Sequence, residues 1–365
     1  MVFSTALITS KSSHLLPSAF SRSFRVPPNA AIQPNTMHQT NILTFIDIGA
    51  NLLDLMFKGN YNGSDKSHHP PDLDNVLQRS FDAGVQKIII TSGNLEEAKS
   101  ALALARTHER LFTTLGVHPT RCSEFETYPE GPDGYLAALK EVLADGTRDG
   151  KIVAIGECGL DYDRLHFCDA ETQKRYFEAQ FELAKDANLP MFLHLRAAAD
   201  DFLDIVHRRV DDFPAGVVHS FDGTASELES ILKIEKLDIG LNGCSLKTEE
   251  NLSVAKLVPV ERLHFETDAP WCDIRPTHAG AAWVKSKLAT KDKKKYEAGC
   301  LVKGRNEPCN IRQVFEVVAG IKARENQGSD AAEKKEEKEE GKEAVAEELC
   351  RAVYNNSLSM FFSKR

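Results

Sequence analysis

The chain has 365 residues, of which 42% are apolar and 27% charged, and its 45 lysines and arginines against 54 aspartates and glutamates give a net charge of -9. No apolar run approaches the roughly 18 to 20 residues that span a bilayer, so an integral membrane protein is not expected. The acidic balance argues against a protein that wraps nucleic acid over its whole surface, although it leaves room for a local basic patch.

The N-terminal segment differs in composition from the rest of the chain. Residues 1–46 contain no acid, and seven serines fall within the first 23 residues. A Ser-rich, Arg-bearing and acid-poor composition is typical of organelle transit peptides. Eight cysteines without a CxxC pair indicate reduced thiols and an intracellular protein. We therefore expect residues 1–43 to be a disordered segment that directs the protein to a chloroplast or mitochondrion; a plain tail on a cytoplasmic or nuclear protein is the alternative.

Two further segments carry unbalanced charge. Residues 328–348 hold nine acids and four lysines, a net charge of -5, and we interpret them as a solvent-exposed insertion without a chemical role. Residues 285–305 hold eight lysines and arginines against two acids, a net charge of +6. A solvated loop and a phosphate-binding surface are the two interpretations of this basic stretch.

From residue 44 onwards, short apolar runs alternate with segments that can form helices, such as residues 95–107 and 172–188. Continuous apolar runs indicate parallel strands that are buried on both faces of a sheet. Length alone allows two domains, but eight strands each followed by a helix predict an α/β fold with a single domain over residues 44–365, the closed TIM (β/α)8 barrel. A doubly wound open sheet is the alternative, although no GxGxxG motif follows the first strand. The eight runs are TFIDI (44–48), VQKIIIT (85–91), LFTTLGV (111–117), IVAIGE (152–157), PMFLHL (190–195), GVVHSF (216–221), LDIGLN (237–242) and RLHFET (262–267).

Polar side chains lie at the ends of six of these runs. The C-terminal ends of the strands form the active site of a TIM barrel, so we expect these side chains to converge on one pocket. A lone histidine in such a place is more often a core residue than a ligand, and the prediction rests on the six together. They are Asp47, His118, Glu157, His194, His219 and Asp268.

Imidazole and carboxylate ligands suit divalent ions such as Zn²⁺, Mn²⁺ and Mg²⁺. The residues predicted to hold one or two such ions are Glu157, His194, His219 and Asp268. A bound ion activates water and polarises a phosphoryl or carbonyl oxygen, so metal-assisted hydrolysis is the expected reaction, with Asp268 as general base. A cysteine nucleophile at Cys158 or Cys272 is the competing hypothesis, although the spacing gives neither a dedicated base.

Nine strings of residues follow one another in a recognisable order between residue 45 and about residue 320. They are FIDIGANL (45–52), TSGNLEEA (91–98), GVHPTRC (116–122), AIGECGLDYDR (154–164), PMFLHLR (190–196), VVHSFDG (217–223), LNGCSLKTEENL (241–252), ETDAPWC (266–272) and RNEPCNI (305–311). In this order they resemble the TatD family of metal-dependent deoxyribonucleases, and the HPTRC and NGCSLKTE segments are similar to its eukaryotic branch. A closing helix is expected around residues 354–362.

The resemblance implies a TIM-barrel phosphodiesterase that degrades DNA, commonly as an exonuclease working from the 3′ end, with RNA as an alternative substrate. It implies a divalent metal, usually Mg²⁺, with Mn²⁺ or Zn²⁺ as alternatives. The family's metal ligands fall on Glu157, His194, His219 and Asp268. The catalytic residues that it implies are Asp268, Glu157 and His118, the last beside the scissile phosphate.

Substrate contacts are expected from the RNEP motif, because the Arg305 guanidinium can bind a phosphate with two parallel hydrogen bonds. Glu307 and Lys303 lie beside it in the sequence, at the end of the basic stretch. Trp283 and Tyr296 are the aromatic residues of this region that can stack on bases.

Many members of the family carry HxH after the first strand, where this chain has Gly49 and Asn51. The number of metal ions therefore stays open, with Asp47 or Asn51 as weak additional ligands. Two other functions also stay open, a metal-dependent deacylase or amidohydrolase acting on an ester such as D-aminoacyl-tRNA, and a non-catalytic nucleic-acid-binding scaffold. The four predicted ligands argue against the scaffold, since burying charged groups together is costly. No oligomeric state is predicted.

Overall fold

The computed structural model describes residues 43–323 and 335–363, with the side chains of the second range described from residue 343 onwards. The segment predicted for residues 1–43 therefore lies outside the described residues, apart from residue 43. Residues 328–334 of the acidic segment also lie outside them. Within the described residues, no helix is both long enough and apolar enough to cross a bilayer.

Eight parallel strands form one sheet whose spatial order follows the chain. The first and last strands meet where Asn51 N donates to Ala269 O at 2.6 Å and Asp268 N donates to Gly49 O at 2.8 Å. The predicted TIM barrel is therefore confirmed, and the open sheet is excluded. The strands are β1 (Phe45–Ala50), β2 (Val85–Ile90), β3 (Leu111–Leu115), β4 (Ile152–Asp161), β5 (Met191–Arg196), β6 (Gly216–Val218), β7 (Leu237–Leu241) and β8 (Leu263–Phe265).

Helices connect the strands and pack their apolar faces against the sheet. In α5, for example, Tyr176, Phe177 and Phe181 recur at helical spacing and are all buried. The helices are α1 (Leu73–Asp82), α2 (Leu95–Ala105), α3 (Glu124–Thr127), α4 (Gly131–Arg148), α5 (Ala170–Ala187), α6 (Ala199–Arg208), α7 (Ala225–Leu232), α8 (Glu249–Leu257), α9 (Ile311–Ala323) and α10 (Lys335–Phe362). Between β8 and α9, two short strands pair in parallel, β9 (Thr290–Lys291) and β10 (Leu301–Val302).

Side-chain caps fix where several of the helices begin. Asn94 Oδ1 accepts from the backbone N–H of Glu97 at 2.8 Å at the start of α2, and Asp169 caps α5 in the same way. Thr224 and Glu227 form a capping box at the start of α7. Each cap ends the loop that follows a strand, so these caps limit the freedom of the loops around the C-terminal end of the barrel.

The last helix closes the N-terminal end of the barrel. Met360 and Phe361 pack into the barrel interior against a cluster that includes Ile46, Ile89, Val153 and Val217. The Asn356 side chain donates to two backbone carbonyls at the start of β8, at 2.7 and 3.0 Å. The closing helix predicted around residues 354–362 is therefore confirmed as the end of α10. The opposite end of the barrel is free for functional side chains.

Candidate active site

A cavity of about 550 Å³ opens at the C-terminal ends of the barrel strands. Asp47, Glu157 and His194 lie within β1, β4 and β5, His219 directly follows β6, and His118 and Asp268 come three residues after β3 and β8. Five of the six strand-end side chains line this cavity, namely His118, Glu157, His194, His219 and Asp268. The barrel thus brings these five together, whereas Asp47 is not among the residues that line the cavity.

The carboxylate of Glu157 is the centre of the group. Its Oε1 lies 2.7 Å from His194 Nδ1, 2.9 Å from His219 Nε2 and 3.4 Å from His118 Nε2. The His194 and His219 nitrogens and the Glu157 carboxylate oxygen are ligands that suit a divalent transition metal, or Mg²⁺ completed by water and substrate. His118, Glu157 and His194 offer one ligand atom each, all within 4.8 Å of one another. The residues present therefore fit a metal ion.

Electrostatic interactions within this group keep Glu157 ionised and favour protonation of His194 and His219. Burial alone would raise the pKa of Glu157, but the facing imidazoles outweigh burial and hold this pKa well below its usual range. Burial would lower the pKa of His219, but Glu157 and Glu266 raise it well above its usual value. The pKa of His194 is also raised, because Asp161 and Glu157 outweigh its burial. In the metal-free protein, the protons on His194 and His219 thus provide the positive charge that a bound cation provides in their place.

His118 differs from the other two histidines. Burial lowers the pKa of His118 to about 3, so its ring is neutral at physiological pH. The backbone N–H of Thr120 donates to Nδ1 at 3.1 Å, which leaves the proton of the neutral ring on Nε2. That Nε2 faces Glu157 and the cavity. His118 is therefore set up to donate a hydrogen bond to a bound anion.

Two buried carboxylates orient the ligand histidines from behind. Asp161 Oδ2 lies 3.3 Å from His194 Nε2, and Glu266 Oε2 lies 3.5 Å from His219 Nδ1. The backbone N–H of Ser220 also donates to Glu266. Carboxylates in this position fix the ring orientation of metal-binding histidines and raise their basicity. Sequence reasoning missed both residues, although each lies in a motif that already contained a predicted ligand, GECGLD and ETDAP.

Asp268 lines the cavity and has a left-handed backbone, φ 52°, a conformation that is strained for a residue with a Cβ. Asn51 Nδ2 donates to its Oδ1 at 2.7 Å, and the Cys272 thiol donates to its Oδ2 at 3.3 Å. Burial raises the pKa of Asp268 to about 6. A carboxylate that titrates close to neutral pH suits a general base.

A family model described as TatD related DNase matches residues 46–361. The chain belongs to this family. A protein of Schizosaccharomyces pombe named Deoxyribonuclease Tat-D is 45% identical over 283 residues, which cover 77% of this chain and 90% of that protein. A protein of Erwinia tasmaniensis named 3'-5' ssDNA/RNA exonuclease TatD is 36% identical over 294 residues, covering 79% and 93%. The crystal structure of a TatD family hydrolase from Entamoeba histolytica superposes with a TM-score of 0.77 at 38% identity, covering 88% and 99%.

Membership of the TatD family confirms the resemblance seen in the motifs and the expectation of a hydrolase. The packing around Gly49 accounts for the absence of the HxH sequence from this chain. A Cβ added at Gly49 would lie 2.8 Å from the Phe192 ring and 2.9 Å from the Glu266 carboxylate, so those two side chains fill the space of a larger residue. Asp47 accepts from the backbone and the hydroxyl of Thr267, at 2.9 and 2.5 Å. Its carboxylate therefore holds the β1 and β8 ends together, which corrects the expectation that it contributes a metal ligand.

The RNEP motif of this TatD chain lies in the interior, which corrects the prediction that it binds substrate. The Arg305 side chain is fully buried and donates to both carboxylate oxygens of Asp72 at 2.7 Å and to Glu307 at 2.8 Å. Arg79 also donates to Glu307, at 2.9 Å. With these partners the fork of Arg305 is not available for a phosphate. Lys303 is exposed but does not line the cavity, and its contact with substrate stays a prediction.

The two aromatic residues predicted to stack on bases are engaged in packing instead. Tyr296 stacks on His69 with ring centroids 4.6 Å apart and an interplanar angle of 13°. The Trp283 ring lies against Gly320 of α9, where an added Cβ would come within 2.2 Å of it. Both rings therefore hold the β8–α9 segment in place, and this part of the predicted substrate contact is not supported.

Other residues line the cavity that sequence reasoning did not assign. Trp271 is 48% exposed and follows Asp268 by three positions, in the ETDAPWC motif. Three arginines with side chains between 44% and 55% exposed also line the cavity. They are Arg121, Arg164 and Arg196. Arg121 and Arg196 lie within three residues of the predicted His118 and His194, and Arg164 lies in the same AIGECGLDYDR string as Glu157.

The cysteine-nucleophile hypothesis is not supported. Cys158 is fully buried, and burial raises the pKa of its thiol. Cys272 lines the cavity, but its thiol donates to Asp268, and its pKa is raised because of the neighbouring Cys244 and burial. A thiol that stays protonated beside a carboxylate is a poor nucleophile for attack on substrate.

Proposed function

We propose that this protein is a metal-dependent nuclease that removes nucleotides from the 3′ end of single-stranded DNA, with RNA as a second substrate. The observation that carries the proposal is the group of Glu157, His194, His219 and Asp268 in one cavity at the mouth of the barrel. Relatives named deoxyribonuclease and 3'-5' ssDNA/RNA exonuclease support it. Mg²⁺ is the proposed ion, because phosphate oxygens of the substrate supply the hard ligands that it needs.

When bound, a divalent ion lowers the pKa of water and polarises a phosphoryl oxygen. Asp268 is proposed to take the proton of the attacking water, since a carboxyl with a pKa of about 6 is ionised at neutral pH and still basic. Asn51 holds its Oδ1, so the carboxylate keeps one orientation during the reaction. His118 is proposed to donate its Nε2 proton in a hydrogen bond to a non-bridging oxygen of the scissile phosphate.

The cavity walls suit the end of a single strand. A volume of about 550 Å³ is within the range of small-ligand sites and leaves no room for a duplex. Arg121, Arg164 and Arg196 present guanidinium groups that can bind successive phosphates. Trp271 offers an exposed ring on which a base can stack without regard to its sequence.

The proposal is tested with the full-length protein and a 5′-labelled single-stranded DNA oligonucleotide in Mg²⁺. The expected result is a ladder of products that shorten from the 3′ end, with no products in EDTA and slower degradation of an oligonucleotide that carries a 3′-terminal phosphorothioate. His194→Ala and Asp268→Asn are expected to lose activity. His207→Ala is the matched control, because His207 is exposed on α6 and lies outside the cavity.

Several outcomes would overturn the proposal. Degradation that continues in EDTA would exclude the metal-dependent mechanism, and full activity in Asp268→Asn would exclude Asp268 as the general base. Release of the 5′ label as a mononucleotide without a ladder would exclude degradation from the 3′ end. Faster hydrolysis of a D-aminoacyl-tRNA than of DNA in the same buffer would favour a deacylase. Tight DNA binding in EDTA without hydrolysis in any metal would favour a non-catalytic scaffold.

A further inference from the structure

Two cysteines face each other on the wall of the cavity. Cys244 follows β7 and Cys272 follows β8, and their sulfurs lie 2.7 Å apart. Both residues line the cavity and are partly exposed. The other six cysteines are buried. An oxidant that enters from solvent therefore reaches this pair before any other thiol of the chain.

The backbone holds these two sulfurs together. A Cβ added at Gly243 would lie 2.0 Å from the carbonyl oxygen of Cys272, so the two loops touch at their main chains and only glycine fits there. Asn242 Oδ1 accepts from the backbone N–H of Cys244 at 2.9 Å, which fixes the turn that carries this cysteine. The pair is therefore preorganised, and bond formation at about 2.05 Å requires a small movement of the side chains.

We propose that Cys244 and Cys272 form a redox-sensitive pair that hydroperoxides convert to a disulfide, and that this disulfide lowers the activity of the neighbouring site. The proposed hydrolytic reaction uses no thiol as nucleophile, base or redox group. The pair thus adds a modification site beyond the proposed function.

The chemistry balances with one equivalent of hydrogen peroxide. The Cys244 sulfur, as thiolate, attacks one peroxide oxygen; an S–O bond forms, the O–O bond breaks, and hydroxide leaves and takes up the proton that the thiol had lost. The Cys272 sulfur then attacks the Cys244 sulfur, the S–S bond forms, and the S–O bond breaks, with the Cys272 proton leaving in the second water. Two thiols lose two electrons, and one peroxide becomes two waters. A dithiol reductant reverses the change.

The disulfide alters the site through Asp268. In the reduced pair the Cys272 thiol donates to Asp268 Oδ2 at 3.3 Å. A disulfide sulfur has no proton to donate, so the carboxylate loses this hydrogen bond while Asn51 still holds Oδ1. Loss of an outer partner of a ligand carboxylate costs about 10- to 100-fold in metal affinity or activity. Oxidation is therefore expected to lower activity by about tenfold or more.

The test uses the full-length protein treated with hydrogen peroxide in EDTA, which keeps metal-catalysed oxidation out, and then returned to metal. Free thiols are alkylated before proteolysis, and the masses of the peptides are measured by mass spectrometry. The expected product is a cross-linked pair of peptides that contains Cys244 and Cys272. Its mass is smaller by two hydrogens than the summed mass of the two unmodified peptides. Activity is expected to fall in parallel and to return with dithiothreitol.

Cys244→Ser and Cys300→Ser separate this pair from general oxidation. Each is compared with its own untreated sample, so the starting rate of a variant does not matter. Cys244→Ser is expected to give no cross-linked peptide and to keep its activity through the treatment at concentrations that inactivate the parent. Cys300→Ser, a buried cysteine outside the cavity, is expected to respond as the parent does.

Three results would overturn the inference. They are alkylation of both cysteines after inactivation, equal peroxide sensitivity in Cys244→Ser, and a complete Cys244–Cys272 cross-link with undiminished activity. Because the cross-link is read by mass, the disulfide is tested even if the nuclease assay fails for reasons of substrate or metal.

Discussion

The Nε2 atom of His194 lies 3.3 Å from Oδ2 of Asp161, a carboxylate with a fully buried side chain. The other ring nitrogen, Nδ1, lies 2.7 Å from Glu157. Asp161 thus holds the ring by one nitrogen and directs the other to the centre of the site. The arrangement makes Nδ1 the ligand atom of His194, and it makes Asp161 responsible for the orientation of that atom.

Asp161→Asn should therefore weaken metal binding without unfolding the protein. The amide keeps the shape of the side chain, and the backbone of residue 161 still bonds to Gln173 at 2.8 and 3.0 Å. We expect metal affinity to fall by about 10- to 100-fold, as for other outer partners of ligand histidines. Isothermal titration with Mn²⁺ measures it.

Asp163→Asn serves as the control for this change, because Asp163 lies two positions further on, is exposed and pairs with Arg196 instead of a histidine. Its metal affinity should match that of the parent. Equal affinities for the parent and Asp161→Asn would show that Asp161 does not position the His194 ring.

Metal binding should release protons. The pKa of His219 is raised well above its usual 6.5 by Glu157 and Glu266, and the pKa of His194 is raised too, so the metal-free protein holds imidazolium at neutral pH. A ligand imidazole must be neutral, so the ion displaces at least one proton and affinity weakens as pH falls. Titrations in buffers of different ionisation enthalpy give the number released. An observed heat that does not depend on the buffer would contradict the prediction.

Much of the site could be predicted from the sequence because the barrel topology places strand ends at one mouth. The residues that could not be predicted depend on details that periodicity does not carry. The apolar run of β4 stops at Glu157, but the strand continues to Asp161 and pairs it with Arg196, so Asp161 appeared to lie beyond the strand. Cys244 and Cys272 meet through a loop contact across 28 positions.

For Arg305, in contrast, the sequence suggested a functional role that the fold excludes. Its guanidinium and its basic neighbours suggested a phosphate ligand, but its partner Asp72 lies 233 positions away in the sequence. A net charge of +6 over residues 285–305 counts Arg305 as free, although the fold neutralises it. Local charge indicates where cations occur and leaves open which of them face solvent.

Arg305→Ala should therefore lower stability. Removing the guanidinium leaves the buried carboxylates of Asp72 and Glu307 without their cation, although Arg79 still contacts Glu307. A loss of about 3 to 5 kcal/mol in the free energy of unfolding is expected. Urea denaturation followed by circular dichroism measures it. Lys303→Ala, two positions away and exposed, should change stability by no more than about 0.5 kcal/mol. A stable Arg305→Ala with a raised KM would restore the substrate-binding hypothesis.

The composition of the N-terminal segment leads to a localisation test. A fluorescent protein fused to residues 1–45 should accumulate in a chloroplast or mitochondrion, because the segment is rich in serine and free of acids. The matched control replaces Arg22 and Arg25 by glutamate, which removes the positive charge that such segments carry, and it should be diffuse. A diffuse signal from the unaltered segment would exclude the transit-peptide interpretation.

Trp271→Ala should weaken substrate binding more than it slows the chemical step. The ring is 48% exposed and follows Asp268 by three positions, so it can stack on a base next to the scissile phosphate without touching the metal ligands. Stacking of one base on an aromatic side chain contributes about 1 to 3 kcal/mol, which corresponds to an increase in KM of about 5- to 150-fold. Steady-state kinetics on a single-stranded oligonucleotide measures this increase. Trp271→Phe should recover most of the affinity, and Phe167→Ala, an exposed aromatic residue outside the cavity lining, should leave KM unchanged. A fall in kcat at constant KM would instead mean that Trp271 supports Asp268, because the loss would then lie in the reacting groups and not in the binding of the strand.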